Sequence, residues 1–259
     1  MKKSIVYFLA ILLLFPLFSI SQVIPPAKKS DTLNKTDASG AKSGYWEEKI
    51  GEVLNKGYYR QNKKDGSWVG FYPSNVLARL ESYKDGRKDG PSVQLDRRGK
   101  ITMFETYKDG FLDGQSITYT QTGDFPVSET SYAAGKRSGL FRLYYDNGKI
   151  QEESYYLDNQ KEGTSKWFNK SGRLMAVYNY RNGNFVGTQQ TFYENDTVQV
   201  MSNYVNNELS GEYKEFYRNG KVKLSGKYVK GVKDGPWTEY DETGKAEKVT
   251  KYKNGSGPK

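Results

Sequence analysis

From residue 44 onward the chain runs in short segments where apolar and polar residues exchange at every second position. Between Lys221 and Tyr228, Val222, Leu224, Gly226 and Tyr228 fall on one side, and Lys221, Lys223 and Lys227 on the other. A period of two is that of a β-strand with one buried face. The preceding run carries Tyr213, Phe216 and Tyr217, and Asn219-Gly220 separates the two runs. Asn-Gly is a strong hairpin signal, because both central residues of a type I′ turn need φ > 0. Similar hairpin turns are predicted at Asn147-Gly148, Ser171-Gly172 and Thr243-Gly244, and connecting turns at Asp85-Gly86, Asp109-Gly110 and Asn182-Gly183.

The pattern repeats. Gly66, Gly90, Gly114, Gly139, Gly163, Gly187, Gly211 and Gly235 recur every 24 residues, with one interval of 25. Tyr83, Tyr107, Tyr132, Tyr156, Tyr180, Tyr204, Tyr228 and Tyr252 follow their glycines by 17 residues, or by 18 in the unit with the insertion. An aromatic residue stands five positions after each glycine except at Leu95, and Gly44, Trp46 and Tyr59 form a shortened unit at the N-terminal end. One hairpin cannot bury a face alone, but stacked hairpins can. The prediction is an all-β fold, an elongated, twisted antiparallel meander of about eight to nine hairpin repeats of ~24 residues. The extra residue near Phe125-Pro126 predicts a longer turn or a bulge, with the proline weakening its ladder.

The N-terminus reads differently. Met1-Lys2-Lys3, an apolar run from Ile5 to Phe18 and then Ser19-Ile20-Ser21-Gln22 predict a signal peptide over 1–21, with Ser21 the last residue removed. The run contains Pro16 and falls short of the ~18 residues of a spanning helix. No transmembrane helix is therefore expected in the mature chain. Residues 22–43, with Pro25-Pro26 and no periodicity, read as a disordered linker, 44–255 as the repeat domain and 256–259 as a tail. The chain is expected to be exported to the periplasm, the cell surface or the medium.

Composition adds three constraints. Without cysteine there is neither a disulfide nor an N-terminal lipid anchor. The 22 Tyr, 12 Phe and 4 Trp suit half-buried sheet faces. Cleavage removes two lysines, leaving 38 basic against 30 acidic residues and a net charge of +8. The charges are interspersed, as on a solvated surface with lysine-protected strand edges. They would also draw in an anionic partner: anionic lipid, acidic glycan or an acidic protein. Nucleic acid is not expected as a partner of an exported chain.

The segments Tyr83-Lys-Asp-Gly-Arg-Lys-Asp-Gly90-Pro and Tyr228-Val-Lys-Gly-Val-Lys-Asp-Gly235-Pro-Trp-Thr-Glu-Tyr240 resemble the bacterial variant of the MORN repeat. The shared pattern covers Gly44 to about Gly255. The resemblance implies a hairpin stack and a grouping with antitoxin-like proteins of toxin–antitoxin systems. An export signal separates this chain from a cytoplasmic toxin, while an immunity role at the envelope still fits. No functional residue carries over.

Catalysis is not expected. With neither His nor Cys, the common nucleophilic and zinc sites are excluded, and no phosphate loop or dinucleotide fingerprint is present. No cofactor and no metal are expected. Glu47, Glu48, Glu152, Glu153 and Glu239 could in principle serve a glycosidase, but they read as an exposed strand face opposite Lys and Arg. Glu152 and Glu153, adjacent on a strand, point to opposite faces. The aspartates before Gly66, Gly90 and Gly235 read as turn residues bonding locally to backbone. Trp46, Trp68, Phe141, Tyr213 and Trp237 share one slot, two residues after a unit glycine, that Ser and Gln fill elsewhere. They read either as a core ladder or as exposed rings. The mixture of Trp with Ser points away from uniform burial, which makes this slot the candidate binding surface. The expected function is recognition of a protein partner at the cell envelope. The alternatives are envelope phospholipid or glycan binding, and a structural spacer.

Overall fold

The computed structural model describes residues 33–257; the predicted signal peptide, the start of the linker and the last two residues lie outside them. The chain forms two compact units, one ending at Gly135 and the other beginning at Lys136. The first holds β1 (Gly44–Ile50), β2 (Val53–Arg60), β3 (Lys63–Phe71), β4 (Leu77–Lys84), β5 (Arg87–Leu95), β6 (Ile101–Lys108), β7 (Phe111–Tyr119) and β8 (Pro126–Ala133). The second holds β9 (Lys136–Tyr144), β10 (Ile150–Leu157), β11 (Gln160–Lys161), β12 (Gly163–Phe168), β13 (Leu174–Arg181), β14 (Asn184–Phe185), β15 (Gly187–Phe192), β16 (Val198–Val205), β17 (Glu208–Phe216), β18 (Val222–Val229), β19 (Val232–Tyr240) and β20 (Ala246–Tyr252). In each unit successive strands pair antiparallel, with the short β11 and β14 continuing into β12 and β15 against β10 and β13, so the all-β meander of hairpins is as predicted.

The register is the same in every hairpin. Each unit glycine faces its tyrosine, as in Gly66↔Tyr83, Gly90↔Tyr107, Gly163↔Tyr180 and Gly235↔Tyr252. The glycine adopts φ from +64° to +114° and sits where the register to the preceding strand slips. Glu81 pairs with Ser92 while Tyr83 pairs with Lys88, so β5 carries extra residues around Gly90. This is a bulge that only a residue free to take positive φ makes without strain.

The turn chemistry is reversed from the sequence reading. At Asn219-Gly220 the Gly220 N–H bonds to Tyr217 O and the Tyr217 N–H to Lys221 O, and of the pair only Gly220 has positive φ. That is a type I turn closed by a glycine bulge, with three loop residues. The type I′ geometry lies in the connecting turns. Asp85-Gly86 has φ of 49° and 83°, and Asn182-Gly183 has 50° and 78°. Both pairs of residues are of types that tolerate positive φ, so composition alone does not separate the two turn classes. The insertion lengthens the β7–β8 turn by one residue: Thr120 N bonds to Phe125 O, and Pro126 begins β8 opposite Tyr119.

Successive hairpins are also joined by side chains at their turns. The hydroxyls of Tyr72, Tyr145, Tyr193 and Tyr217 donate to the carbonyls of Leu95, Phe168, Phe216 and Tyr240 at 2.7–2.9 Å, each 23 residues on. Asp89 and Asp234 do not bond locally. They accept the N–H of Asp109 and Asn254, 20 residues ahead, in the next connecting turn.

The segment 33–43 belongs with the repeats, in contrast to its reading as linker. Asn34 closes onto the outer edge of β1, with its N–H on Tyr45 O and its side chain on Glu47 O and Glu47 N–H. Lys42 lies over the rings of Trp46 and Tyr59, as Lys64 lies over those of Trp68 and Tyr83. The segment imitates a strand with side-chain amide bonds instead of periodicity, which is why the pattern of alternation misses it.

Candidate binding surface

The face that carries the unit tyrosines is buried along its central row. In the first unit the opposite face is buried too, along the row Val69, Val93 and Phe104, with Leu80 half-buried between the first two. In that unit the central row of the tyrosine face reads Trp46, Gly57, Trp68, Glu81, Ser92, Glu105, Ser116 and Thr130 across successive strands. In the second it runs from Phe141 and Ser154 through Ser165, Tyr178, Gln189 and Ser202 to Tyr213, Gly226, Trp237 and Thr250. Bulk in one strand meets its absence in the next. A Cβ on Gly57 would fall inside the Trp68 indole, and one on Gly226 inside that of Trp237.

This overturns the reading of the Trp slot as a binding surface. Trp68 and Trp237 are each 2 % exposed, and Trp46, Phe141 and Tyr213 are half-buried among neighbouring rings. Their polar counterparts are equally buried, with Ser92 at 2 %, Ser165 at 1 % and Gln189 at 4 %. The slot varies because each residue complements the volume of its cross-strand neighbours, not because it is open. The indole N–H groups of Trp68 and Trp237 donate to Tyr58 O and Lys227 O. That of Trp46 donates to Lys35 O and Ser43 O, in the segment that imitates a preceding strand.

The buried face is laced with charge. Glu152 is 6 % exposed, and its Oε1 accepts bonds from Lys161 Nζ and Ser154 Oγ, both at 2.6 Å. Ser154 Oγ also lies 2.7 Å from Ser165 Oγ. Glu152 is therefore not on an exposed face as read from sequence. Glu153 points the other way, to Arg142 at 2.9 Å, as the alternation requires. The indole Nε1 of Trp167, opposite Glu152, is the buried side-chain donor that lacks an acceptor among the described residues. Of the other candidate acids, Glu47 pairs with Lys56, Glu48 with Lys42 and Lys64, and Glu239 with Lys248. Each acid is engaged structurally, and no two stand together with a shared opening to solvent.

Four tyrosine hydroxyls on this face donate to carboxylates: Tyr59 to Glu48, Tyr83 to Glu81, Tyr107 to Glu105 and Tyr213 to Glu215, at 2.8–3.0 Å. Burial, then the neighbouring carboxylate, raises the pKa of each phenol, and Tyr59 is pushed up to about 12. A folded-state pKa above the ordinary value of 10.0 means the folded chain holds its proton longer. The stabilisation is whole below that value and is lost as pH rises through the folded one. Absorbance titration should show this group of phenols ionising above the ordinary tyrosine range and only with unfolding.

With the inner face filled, the freest chemistry lies at the connecting-turn rim. The residue after each unit tyrosine and its cross-strand partner flank each type I′ turn. In the first unit this rim reads Arg60, Lys63, Lys84, Arg87 and Lys108 on five successive strands, ending at Phe111, which is 60 % exposed. Arg60 faces Lys63, and Lys84 faces Arg87, directly across the ladder. Like charges so placed destabilise a sheet. Only Arg60 has a carboxylate, Asp65 at 2.6 Å; among the described residues the other four make no ion pair. In the second unit the same positions are mixed: Leu157, Val205 and the facing Val229 and Val232 are exposed apolar residues, while Gln160, Arg181, Asn184 and Glu208 are polar or charged. Sequence reading treated these charges as interspersed. Only the pairing register gathers residues 24 apart into one row, though the recurrence of a basic residue after Tyr59, Tyr83 and Tyr107 was a legible hint.

Six segments of the chain match the family model described as the MORN repeat variant: 64–85, 137–158, 161–182, 185–206, 209–230 and 233–254, together half of the 259 residues. Each begins two residues before a unit glycine. The hairpins of Gly90 and Gly114 are unmatched, yet they keep the same register. No curated protein matches the chain.

Proposed function

From the premise that the chain belongs to the MORN repeat variant family, whose repeats are non-catalytic modules generally used for binding and scaffolding, we propose that it is an exported scaffold holding an acidic-surfaced protein partner at the cell envelope. The observation that carries this reading is the rim of the first unit. Of its five cations, Arg60 and Lys63, and Lys84 and Arg87, stand face to face at a cost to the sheet, and all but Arg60 make no ion pair among the described residues. An acidic partner surface would convert that repulsion into attraction and would be steered toward it. Phe111 at the end of the row supplies an apolar contact of the kind a protein interface uses. The N-terminal segment, with its basic start and apolar core, supports export.

The same rim also supports anionic lipid or glycan as the ligand, because cations on adjacent strands recur every ~5 Å along a line. One experiment separates the readings. The mature chain is crosslinked in envelope extract at physiological and at high salt, beside the Lys84→Glu/Arg87→Glu variant. A protein recovered in fixed proportion at both salts, and reduced roughly tenfold by the variant, is the expected result. Lipid or glycan recovered only at low salt would replace the protein partner. Recovery unaffected by the variant would remove the rim from the function.

A further inference from the structure

Between β13 and β16 the filling of the tyrosine face is incomplete. Tyr178, Phe185 and Tyr204 line an open cleft of about 190 Å³, together with Gln189, Val200 and Ser202. Two departures from the repeat meet there. Two residues before the unit glycine, Lys64, Lys88, Arg137, Lys161 and Lys233 each hold a cation over rings of this face. Before Gly187 that position is Phe185, whose ring lies 4.8 Å from that of Tyr180 and 5.5 Å from those of Tyr178 and Tyr204. Two residues before the unit tyrosine, Glu81 and Glu105 accept the hydroxyls of Tyr83 and Tyr107. Before Tyr204 that position is Ser202. Among the described residues the hydroxyls of Tyr178, Ser202 and Tyr204 make no hydrogen bond within the protein, and none of them is a fully buried orphan.

We propose that this cleft binds a neutral sugar ring. A cavity of roughly 150 Å³ holds one benzene ring, so 190 Å³ takes one six-membered ring with part of its substituents. The lining has the make-up of a ligand site, mostly aromatic and apolar with a few placed polar groups. The faces of aromatic rings carry partial negative charge, which draws the slightly positive C–H face of a pyranose. The edge of the sugar carries hydroxyls that both donate and accept, and so do the three free hydroxyls of the protein. Gln189 helps to shape the cleft and does not read the ligand. Its amide is spent on the backbone of Asn179 and Val186.

Charge argues against the other occupants. No lining residue is ionic, so a bound ion would give up water without meeting a counter-charge. Glu215, which faces Val200 from the next strand, is already held by the Tyr213 hydroxyl at 2.9 Å. The basic excess of the chain also repels a cation. An aromatic side chain of a partner protein would fill the same volume but leave the three hydroxyls without partners. The cleft shares no residue with the basic rim of the first unit, so either can fail without the other.

The test uses the full chain and the methyl glycosides of glucose, galactose, mannose and N-acetylglucosamine. Glucuronate, tetramethylammonium and p-cresol, a stand-in for a tyrosine side chain, are run beside them. Saturation-transfer NMR reads which ligand protons touch the protein, and its titration reads affinity. Expected is saturable binding of at least one neutral glycoside through its ring C–H protons, tighter than that of either ion or of p-cresol. Phe185→Lys supplies the cation that its counterparts carry, so it should keep the fold and weaken binding roughly tenfold. Ser202→Ala removes one hydroxyl and should weaken it roughly threefold to tenfold, the worth of one hydrogen bond. Circular dichroism checks the fold, and Ser202→Ala keeps the test valid should the lysine variant unfold. No glycoside binding, binding that a folded variant leaves unchanged, or tighter binding of an ion or of p-cresol would overturn the proposal.

Discussion

Gly226→Ala is expected to destabilise the second unit by about 3 kcal/mol, at the upper end of what overpacking a sheet core costs. Gly226 lies in a row between Tyr213 and Trp237, and an added methyl would fall within the Trp237 indole. That indole is 2 % exposed, rests against Tyr213, Tyr228 and Tyr252, and is held by a bond to Lys227 O. It cannot move without breaking several contacts at once. Urea unfolding followed by tryptophan fluorescence and circular dichroism measures the change. Gly220 is the control. It has positive φ but nothing within 4 Å of its would-be Cβ, so Gly220→Ala should cost only the left-handed backbone penalty, about 1–2 kcal/mol. Trp237→Leu combined with Gly226→Ala should lose less than the sum of the singles, because each relieves the other's crowding. Equal losses at Gly226 and Gly220, with additive doubles, would show that the row is not close-packed. Gly57 and Trp68 offer the same test in the first unit.

Glu152→Ala is expected to cost a similar amount, about 3 kcal/mol, for an electrostatic reason. The substitution leaves Lys161 Nζ without its carboxylate and the buried Ser154 hydroxyl without one of its partners. Lys161 also lies over the rings of Trp167 and Tyr180, which hold it near the gap instead of releasing it wholly to water. Its side chain is 21 % exposed, so the loss falls toward the lower end of the range for a fully buried pair. Replacing both partners, Glu152→Leu with Lys161→Met, should recover most of the loss, because neither charge then needs compensation. A double-mutant cycle under urea reads the coupling directly. If the double variant lost as much as the two singles combined, the pair would contribute by shape and not by charge.

The periodicity of two, the 24-residue interval and the glycine–tyrosine offset were sufficient for the hairpins, their order and their register, because each is a local demand of strand and turn geometry. The opposed directions of Glu152 and Glu153 follow from the same alternation. Reading exposure at the Trp slot was not possible in this way. Trp68 and Ser92 look incompatible with one environment until Gly57 and Glu81 are placed beside them, and that placement exists only in the assembled ladder. The turn types were confused because Asn-Gly suits both type I′ and a type I turn with a glycine bulge. Which forms depends on how many residues each strand contributes before pairing resumes. Asp89 and Asp234 were given local roles because the backbone N–H groups whose bonds they accept stand 20 residues further along the chain, in the next connecting turn.

The sequence by itself determined that this chain is a stack of β-hairpins without the residues for common nucleophilic chemistry, since strand alternation, positive-φ glycines and the lack of His and Cys are properties of near neighbours and of composition. Only the tertiary structure decided which residues are buried, that Glu152 lies inside, that five cations spread over two repeats form one rim, and that Asn34 closes onto the edge of β1. Each of these depends on pairing across strands, where residues distant in the chain stand about 5 Å apart, and alternation along one strand carries no record of what stands beside it.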